Sequence, residues 1–283
     1  MIGVFDSGHG GLTVLAALTR RFPGLRFSYL GDHGNAPYGA HSGPAVLDLT
    51  RAGIERLFQE GCRLVIVACN SATAIALRGI QQDWLPRHYP ERRALGVIVP
   101  VVEALTGVPW AHDSSWAVHP RPAATVGVFG TVHTVRSLVY PIEIAKRAPA
   151  ITVVQQECPG LAGAIEDGAP EAELAALVAD YVDALLAQVD GAPIDHVVLG
   201  CTHYPLVGPL FARFLPPGVE VMSQPVLVTA ATRSYLLRRP EYAGGGRRPA
   251  GEPQCRFLTT GDPEQVSRIA RRFLGRGIAF EAA

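Results

Sequence analysis

The sequence predicts an α/β protein built from two similar parallel-sheet domains, and three of its features lead there. Short aliphatic runs alternate with helical stretches, as where Ile2-Gly3-Val4-Phe5 gives way to Leu12–Arg20, the pattern of parallel strands with helices on the sheet faces. Val126-Gly127-Val128-Phe129-Gly130-Thr131 repeats the character of Ile2-Gly3-Val4-Phe5-Asp6-Ser7, with a hydroxyl at the same offset. At 283 residues the chain also exceeds the size at which one core usually suffices.

The elements follow in order. After the first strand, Asp6-Ser7-Gly8-His9-Gly10-Gly11 forms a loop that enters a helix stopped before Pro23. The loop lacks the Gly-x-Gly-x-x-Gly spacing and the lysine of nucleotide-binding loops, and Asp6 and Ser7 by themselves could simply cap the helix. A second strand, Arg26–Leu30, leads into the Gly- and Pro-punctuated loop Gly31-Asp32-His33-Gly34-Asn35-Ala36-Pro37-Tyr38-Gly39. A helix over about Pro44–Gln59 precedes the strand Leu64–Val67, which runs through Ala68 into Cys69. Another helix starts near Ser71, and a strand over Leu95–Val99 closes the first half.

The pattern then begins again. A helix near Val101–Leu105 is followed by an irregular loop, Val108–Ala124, holding Trp110, His112, Trp116 and His119, and then by the strand ending at Thr131. Glu171–Val189 is the cleanest helix, with Leu174, Leu177, Val178, Tyr181, Val182, Leu185 and Leu186 at helical spacing, which marks core. Val197-Val198-Leu199-Gly200 reads as a buried strand bounded by Gly and Pro, and Cys201-Thr202-His203-Tyr204-Pro205 follows at once. A strand over Val219–Met222, a helix near Val228–Leu237, a mobile Gly-, Pro- and Arg-rich segment from Arg238 to Gln254, the strand and turn Phe257–Asp262 and a helix through Leu274 complete the chain.

Composition narrows the function. Lys+Arg and Asp+Glu balance at 25 each, which gives no electrostatic case for nucleic acid or a membrane surface. No segment reaches the apolar length that spans a bilayer, and the first residues enter a strand directly, so a cytoplasmic setting is expected. Five scattered cysteines fit free thiols better than a disulfide framework. Lys146 is the only lysine and stands among ordinary helix formers, which argues against a pyridoxal Schiff base.

Cys69 and Cys201 are the residues the pattern singles out. Each sits between a strand end and an expected helix start, a position that lowers a thiol pKa from about 8.5 toward neutrality and so suits proton transfer. Cys69 lies 62 positions after Ser7 (69 − 7) and Cys201 lies 70 after Thr131 (201 − 131), consistent with a weak internal duplication. Two like thiols facing one another suit inversion of a carbon stereocentre, one removing a proton and the other returning it on the opposite face. A single nucleophilic cysteine with His203 as base is the competing enzymatic reading. Metal binding by Cys69, Cys201 and His203 is a third, though it lacks the paired spacing of strong metal motifs. Cys62, Cys158 and Cys255 read as buried, unreactive thiols.

Taken together, Gly3-Val4-Phe5-Asp6-Ser7-Gly8, Gly31-Asp32, Ala36-Pro37-Tyr38-Gly39, Ala68-Cys69-Asn70, Gly200-Cys201-Thr202-His203-Tyr204-Pro205-Leu206 and Thr259-Thr260-Gly261-Asp262 resemble the glutamate racemase family, of the cofactor-independent aspartate/glutamate racemase superfamily. The resemblance runs through essentially the whole chain, in order. It implies two similar α/β domains related by pseudo-twofold symmetry, residues 1–99 with 207–283 and residues 100–206, with the active site at their interface. It implies that Cys69 takes the α-proton of the D enantiomer and Cys201 that of the L enantiomer. Asp6 would assist Cys69 and hold the amino group, and His203 with Glu166 would assist Cys201. Ser7, Asn70, Ser71 and Thr202 would bind the α-carboxylate and amino group. The Pro37, Tyr38 and Gly39 backbone and the loop from Thr131 to Thr134 would receive the side-chain carboxylate. No cofactor and no metal are expected. Glutamate is the expected substrate, a homodimer the expected assembly, and D-glutamate for peptidoglycan the expected product; a racemase of aspartate or another small amino acid, or a non-catalytic amino-acid-binding protein, are the alternatives.

Several positions depart from the family pattern. Ser71 stands where threonine is usual and keeps the hydroxyl. His133 occupies a usually small position in the Gly-Thr-x-x-Thr loop, and His41 one commonly basic after Pro-Tyr-Gly. Ser223-Gln224-Pro225-Val226 replaces a Ser-Gly-acidic pattern, and His9 and His33 are also unusual. These changes bear on side-chain specificity, because an imidazole alters pocket size and charge with pH.

Overall fold

The computed structural model describes residues 1–109, 122–243, 251 and 253–283. Trp110, His112, Trp116 and His119, and residues 244–250 and 252 of the segment expected to be mobile, lie outside the described residues. The strands in chain order are β1 Ile2–Asp6, β2 Phe27–Gly31, β3 Leu64–Val67, β4 Arg93–Gly96, β5 Ala124–Gly130, β6 Ile151–Glu157, β7 His196–Gly200, β8 Glu220–Met222, β9 Cys255–Thr259 and β10 Glu281–Ala282.

The chain forms two compact units, Met1–Val97 with Val228–Ala283, and Ile98–Leu227. The first holds a sheet of order β10-β9-β2-β1-β3-β4 and the second a sheet of order β6-β5-β7-β8, with every pairing parallel. The predicted α/β class is the one observed. β2-β1-β3-β4 and β6-β5-β7-β8 have the same order of succession, so the repeat read from the sequence is also a repeat of topology.

Central strands buried on both faces need continuous apolar runs, and β1 and β3 are fully buried along their length. In the first unit one face of the sheet packs Val4, Tyr29 and Ile66 with Leu15, Leu18, Ala270 and Phe273, while the other packs Phe5, Val65 and Val67 with Ile54, Leu57 and Phe58. In the second, Phe129, Val197 and Leu199 pack with Val182 and Leu185 of the helix Glu171–Gln188 and with Phe211. Duplication reaches individual contacts. A Cβ on Gly3 would meet Val65 and Leu57 at 3.0 and 3.1 Å; on the corresponding Gly127 it would meet Val197 and Leu185 at 3.4 and 2.6 Å. In both units a strand glycine lets one leucine of the covering helix sit directly on the central strand.

Three expectations are adjusted. The run Leu95–Val99 is not all strand: β4 ends at Gly96, and Ile98–Thr106 is a helix. Pro100 falls in its first turn, where backbone N–H groups have no intrahelical acceptor, and an apolar run cannot tell a buried strand from a buried helix by its pattern. The helical stretch after Cys69 widens into π turns at Thr73–Leu77 and Ile80–Trp84. Cys255, expected in the interior, is only half-buried because it opens β9 at the end of the sheet, whereas Cys62 and Cys158 are buried. Among the described residues, no helix is long and apolar enough to cross a membrane.

The helix Gly43–Gln59 approaches β1 so closely that a Cβ on Gly53 would lie 2.1 Å from the buried Phe5 ring. Gly53→Ala should therefore cost ~1–3 kcal/mol, read as a lower urea midpoint at unchanged slope, despite alanine's better helix propensity. A neutral or stabilising result would contradict this packing.

Candidate active site

In the first unit, the C-terminal ends of β1 and β3 deliver the candidate residues. Asp6 ends β1 fully buried, and its Oδ2 accepts the Gly8 N–H at 3.1 Å. Gly11 makes room for it, since a Cβ there would stand 2.6 Å from Asp6 Cβ. β3 passes through Ala68 to Cys69, which caps the next helical turn: its Sγ accepts the Ala72 N–H at 3.4 Å. Ser7 Oγ lies 3.3 Å from the same sulfur. The Ala72 N–H thus aims partial positive charge at Cys69, and the Ser7 hydroxyl stands within hydrogen-bond reach of the same sulfur, an arrangement that accommodates a thiolate. Asn70 and Ser71 follow, both buried.

The segment Tyr38–Ala40 packs beside Asn70–Ala72. Tyr38 is buried and donates its hydroxyl to Asp32 Oδ2 at 2.7 Å, while Pro37 and Gly39 on either side are exposed. Burial, with the Asp32 carboxylate beside it, holds the Tyr38 phenol well above its usual range, so it remains a neutral donor. Asp32 Oδ1 also accepts from Asn35 Nδ2 at 2.9 Å and from Thr260 Oγ1 at 2.6 Å. The sequence contains the motifs Gly31-Asp32 and Thr259–Asp262, but nothing local says that they meet, so no pattern in the sequence gives Asp32, Asn35 or Thr260 a role.

In the second unit, β7 ends at Gly200 and turns through Cys201, Thr202 and His203, all buried. Cys201 Sγ lies 3.7 Å from His203 Nδ1, and His203 Nε2 lies 3.0 Å from Glu166 Oε2 on the helix Leu161–Asp167. Burial by itself pulls the imidazole pKa down. Hydrogen bonds to Cys201 and Glu166, and their negative charges, outweigh it and push His203 up to about 10. The imidazolium therefore stabilises the fold fully below its unfolded pKa near 6.5, and this contribution is lost as pH rises to about 10.

Gly130 pairs with Gly200 in the sheet, so Thr131 and Cys201 leave the same edge. Thr131 caps the helix Val132–Arg136, its Oγ1 accepting the Thr134 N–H at 3.3 Å, and the two hydroxyls are 3.2 Å apart. Cys158 is a different kind of thiol: burial first, and the charge of Cys201 second, push it well above the ordinary range. Asp6, Ser7, Cys69, Asn70 and Ser71, with Tyr38 nearby, thus gather in one unit; Cys201, Thr202, His203, Glu166, Thr131 and Thr134 belong to the other. Among the described residues, no group of three or more His, Cys, Asp or Glu side chains is placed to hold a metal ion.

No protein-family model matches the chain. The glutamate racemase of Phenylobacterium zucineum is 45% identical to it over 287 residues, covering 100% of this chain and 99% of the relative. Among solved structures, a glutamate racemase isoform from Bacillus anthracis superposes with a TM-score of 0.81 at 29% identity, covering 100% of this chain and 97% of that one. The glutamate racemase of Francisella tularensis in complex with D-glutamate gives a TM-score of 0.81 at 25% identity, covering 100% and 96%.

The charge on His203 is directly measurable. At about pH 8, ¹⁵N shifts should show both ring nitrogens protonated, and Glu166→Gln should lower the titration midpoint by roughly one to three units. A midpoint near 6.5 in both proteins would contradict the hydrogen-bonded arrangement.

Proposed function

The chain belongs to the glutamate racemase family, and from that premise we propose that it interconverts L- and D-glutamate without a cofactor, by proton transfer through two thiols. Starting from D-glutamate, the Cys69 thiolate takes the α-proton, and the electron pair of the C–H bond passes into the α-carbon and its carboxylate. The Cys201 thiol then returns a proton to the opposite face. From L-glutamate the two cysteines exchange roles.

The observation that carries this reading is the chain Cys201–His203–Glu166, in which an imidazole joined to a carboxylate stands 3.7 Å from a sulfur that must carry and lose charge, and those two partners favour its protonated form. A one-nucleophile hydrolase would leave the second strand-end thiol, with its N–H and hydroxyl partners at Cys69, without a purpose. Asp6 assists at Cys69 and holds the amino group; Ser7, Asn70, Ser71 and Thr202 take the α-carboxylate and amino group. The side-chain carboxylate goes to the backbone of Pro37, Tyr38 and Gly39 and to the Thr131–Thr134 loop. The commitment of the Tyr38 hydroxyl to Asp32 supports a role for its backbone rather than its side chain. D-glutamate for peptidoglycan is the product this reading assigns, in the cytoplasm and from a homodimer, both of which rest on the family alone.

Incubation with L-glutamate in deuterated water should give decay of the circular-dichroism signal and α-deuterium in the newly formed enantiomer; aspartate, assayed in parallel, should turn over at least tenfold more slowly, by an order-of-magnitude expectation for a missing methylene and a displaced carboxylate. Cys69→Ser and Cys201→Ser should each lower kcat by roughly 10²-fold or more. Full activity in either variant would rule out a mechanism that uses both thiols.

A further inference from the structure

The run Thr259-Thr260-Gly261-Asp262 has no part in the reaction proposed above. Asp262 is accounted for, since its Oδ1 accepts the Gln265 N–H at 2.8 Å and caps the last helix, Pro263–Leu274. Thr259 ends β9; its Oγ1 accepts the Gly261 N–H at 3.0 Å and lies 2.8 Å from His33 Nδ1. Thr260 is left over, and its hydroxyl is used twice. It donates to Asp32 Oδ1 at 2.6 Å and accepts the Gly34 N–H at 3.0 Å, across 228 and 226 residues of chain.

From these contacts we propose that Thr260 is a positioning residue for substrate: it holds the loop from His33 to His41 so that the backbone around Tyr38 is set to receive the side-chain carboxylate. The proposal rests on the racemase reading above. Asp32 is the hub, taking Asn35 and Tyr38 from the loop and Thr260 from the end of β9. The loop is also closed on itself, with His41 Nε2 2.7 Å from the Asn35 carbonyl oxygen. Thr260 is the donor to this hub that comes from a distant strand, and so refers the loop to the sheet.

Close approach of the two backbones supports a built contact. A Cβ on Gly34 would lie 2.7 Å from the Thr260 carbonyl oxygen, and one on Gly261 would lie 3.1 Å from His33 Cβ. A side chain at Gly34 would force the two segments apart, and one at Gly261 would press on His33. A surface threonine that merely ended a strand would need neither a buried carboxylate partner nor glycines opposite it.

The test is steady-state glutamate racemisation by Thr260→Val, Thr260→Ser and Gly34→Ala. Thr260→Val keeps the shape and removes both hydrogen bonds, and Gly34→Ala pushes the loop off its support from the other side. Each should raise KM for glutamate roughly tenfold while kcat moves by less than about threefold, and Thr260→Ser should restore KM. An unchanged KM in Thr260→Val, or a loss confined to kcat, overturns the proposal. So does a Thr260→Val protein that cannot be obtained folded, because the hydroxyl would then serve stability alone. Should the unmutated protein fail to racemise glutamate, the reading of the reaction falls before the role of Thr260 is reached, and the two failures are told apart.

Discussion

Parallel pairing of one central strand with both its neighbours decides where everything else in each unit goes. β1 lies between β2 and β3, with Asp6 opposite Gly31 and Phe5 opposite Val67. β5 lies between β6 and β7, with Gly130 opposite Glu157 and Gly200. Because neighbouring strands run the same way in register, their carboxyl ends share one edge, where the backbone turns toward a helix and polar side chains can leave the core. Asp6, Asp32 and Cys69 emerge at that edge in the first unit, and Thr131, Cys158 and Cys201 in the second. Strand glycines that admit Leu57 and Leu185 keep both sheets closely covered, which holds these ends in place.

The two strand-end cysteines reach similar surroundings by different physical means. Cys69 has fixed dipoles: a backbone N–H at the start of a helical turn and the Ser7 hydroxyl. Cys201 has a titratable group beside it, the His203 imidazole, whose protonated form Cys201 and Glu166 favour. A buried charge is costly unless paired, and Glu166 supplies the pair from a helix that packs against the same turn. The N–H dipole at Cys69 does not titrate, whereas the imidazole at Cys201 does, so the two thiols are served by partners of different kinds. Within the racemase reading, the two directions of the reaction are therefore served by unlike partners.

Much of the fold was legible because its signals are local. Ile2–Phe5 and Val197–Gly200 are apolar runs ended by small residues, and Glu171–Gln188 shows its buried face by spacing alone. Where the local pattern is ambiguous it does not separate one kind of element from another. Ile98 and Val99 are as apolar as a strand yet begin a helix, and the π turns after Cys69 leave no mark in composition. Nothing in the local sequence separates Cys255 from Cys62, and only its place at the start of β9 makes it more exposed.

The sequence by itself determined the residue types and their places along the chain: which thiols follow strands, which glycines admit a close neighbour, and which motifs resemble a racemase. Tertiary structure alone decided which of those residues meet. His203 and Glu166 are 37 positions apart, Ser7 and Cys69 are 62 apart, and Thr260 and Asp32 are 228 apart. Hydrogen bonds such as these depend on strand order and on the direction a turn takes at the sheet edge. No window of neighbouring residues encodes either, because both arise only when the strands pair and bury their faces together.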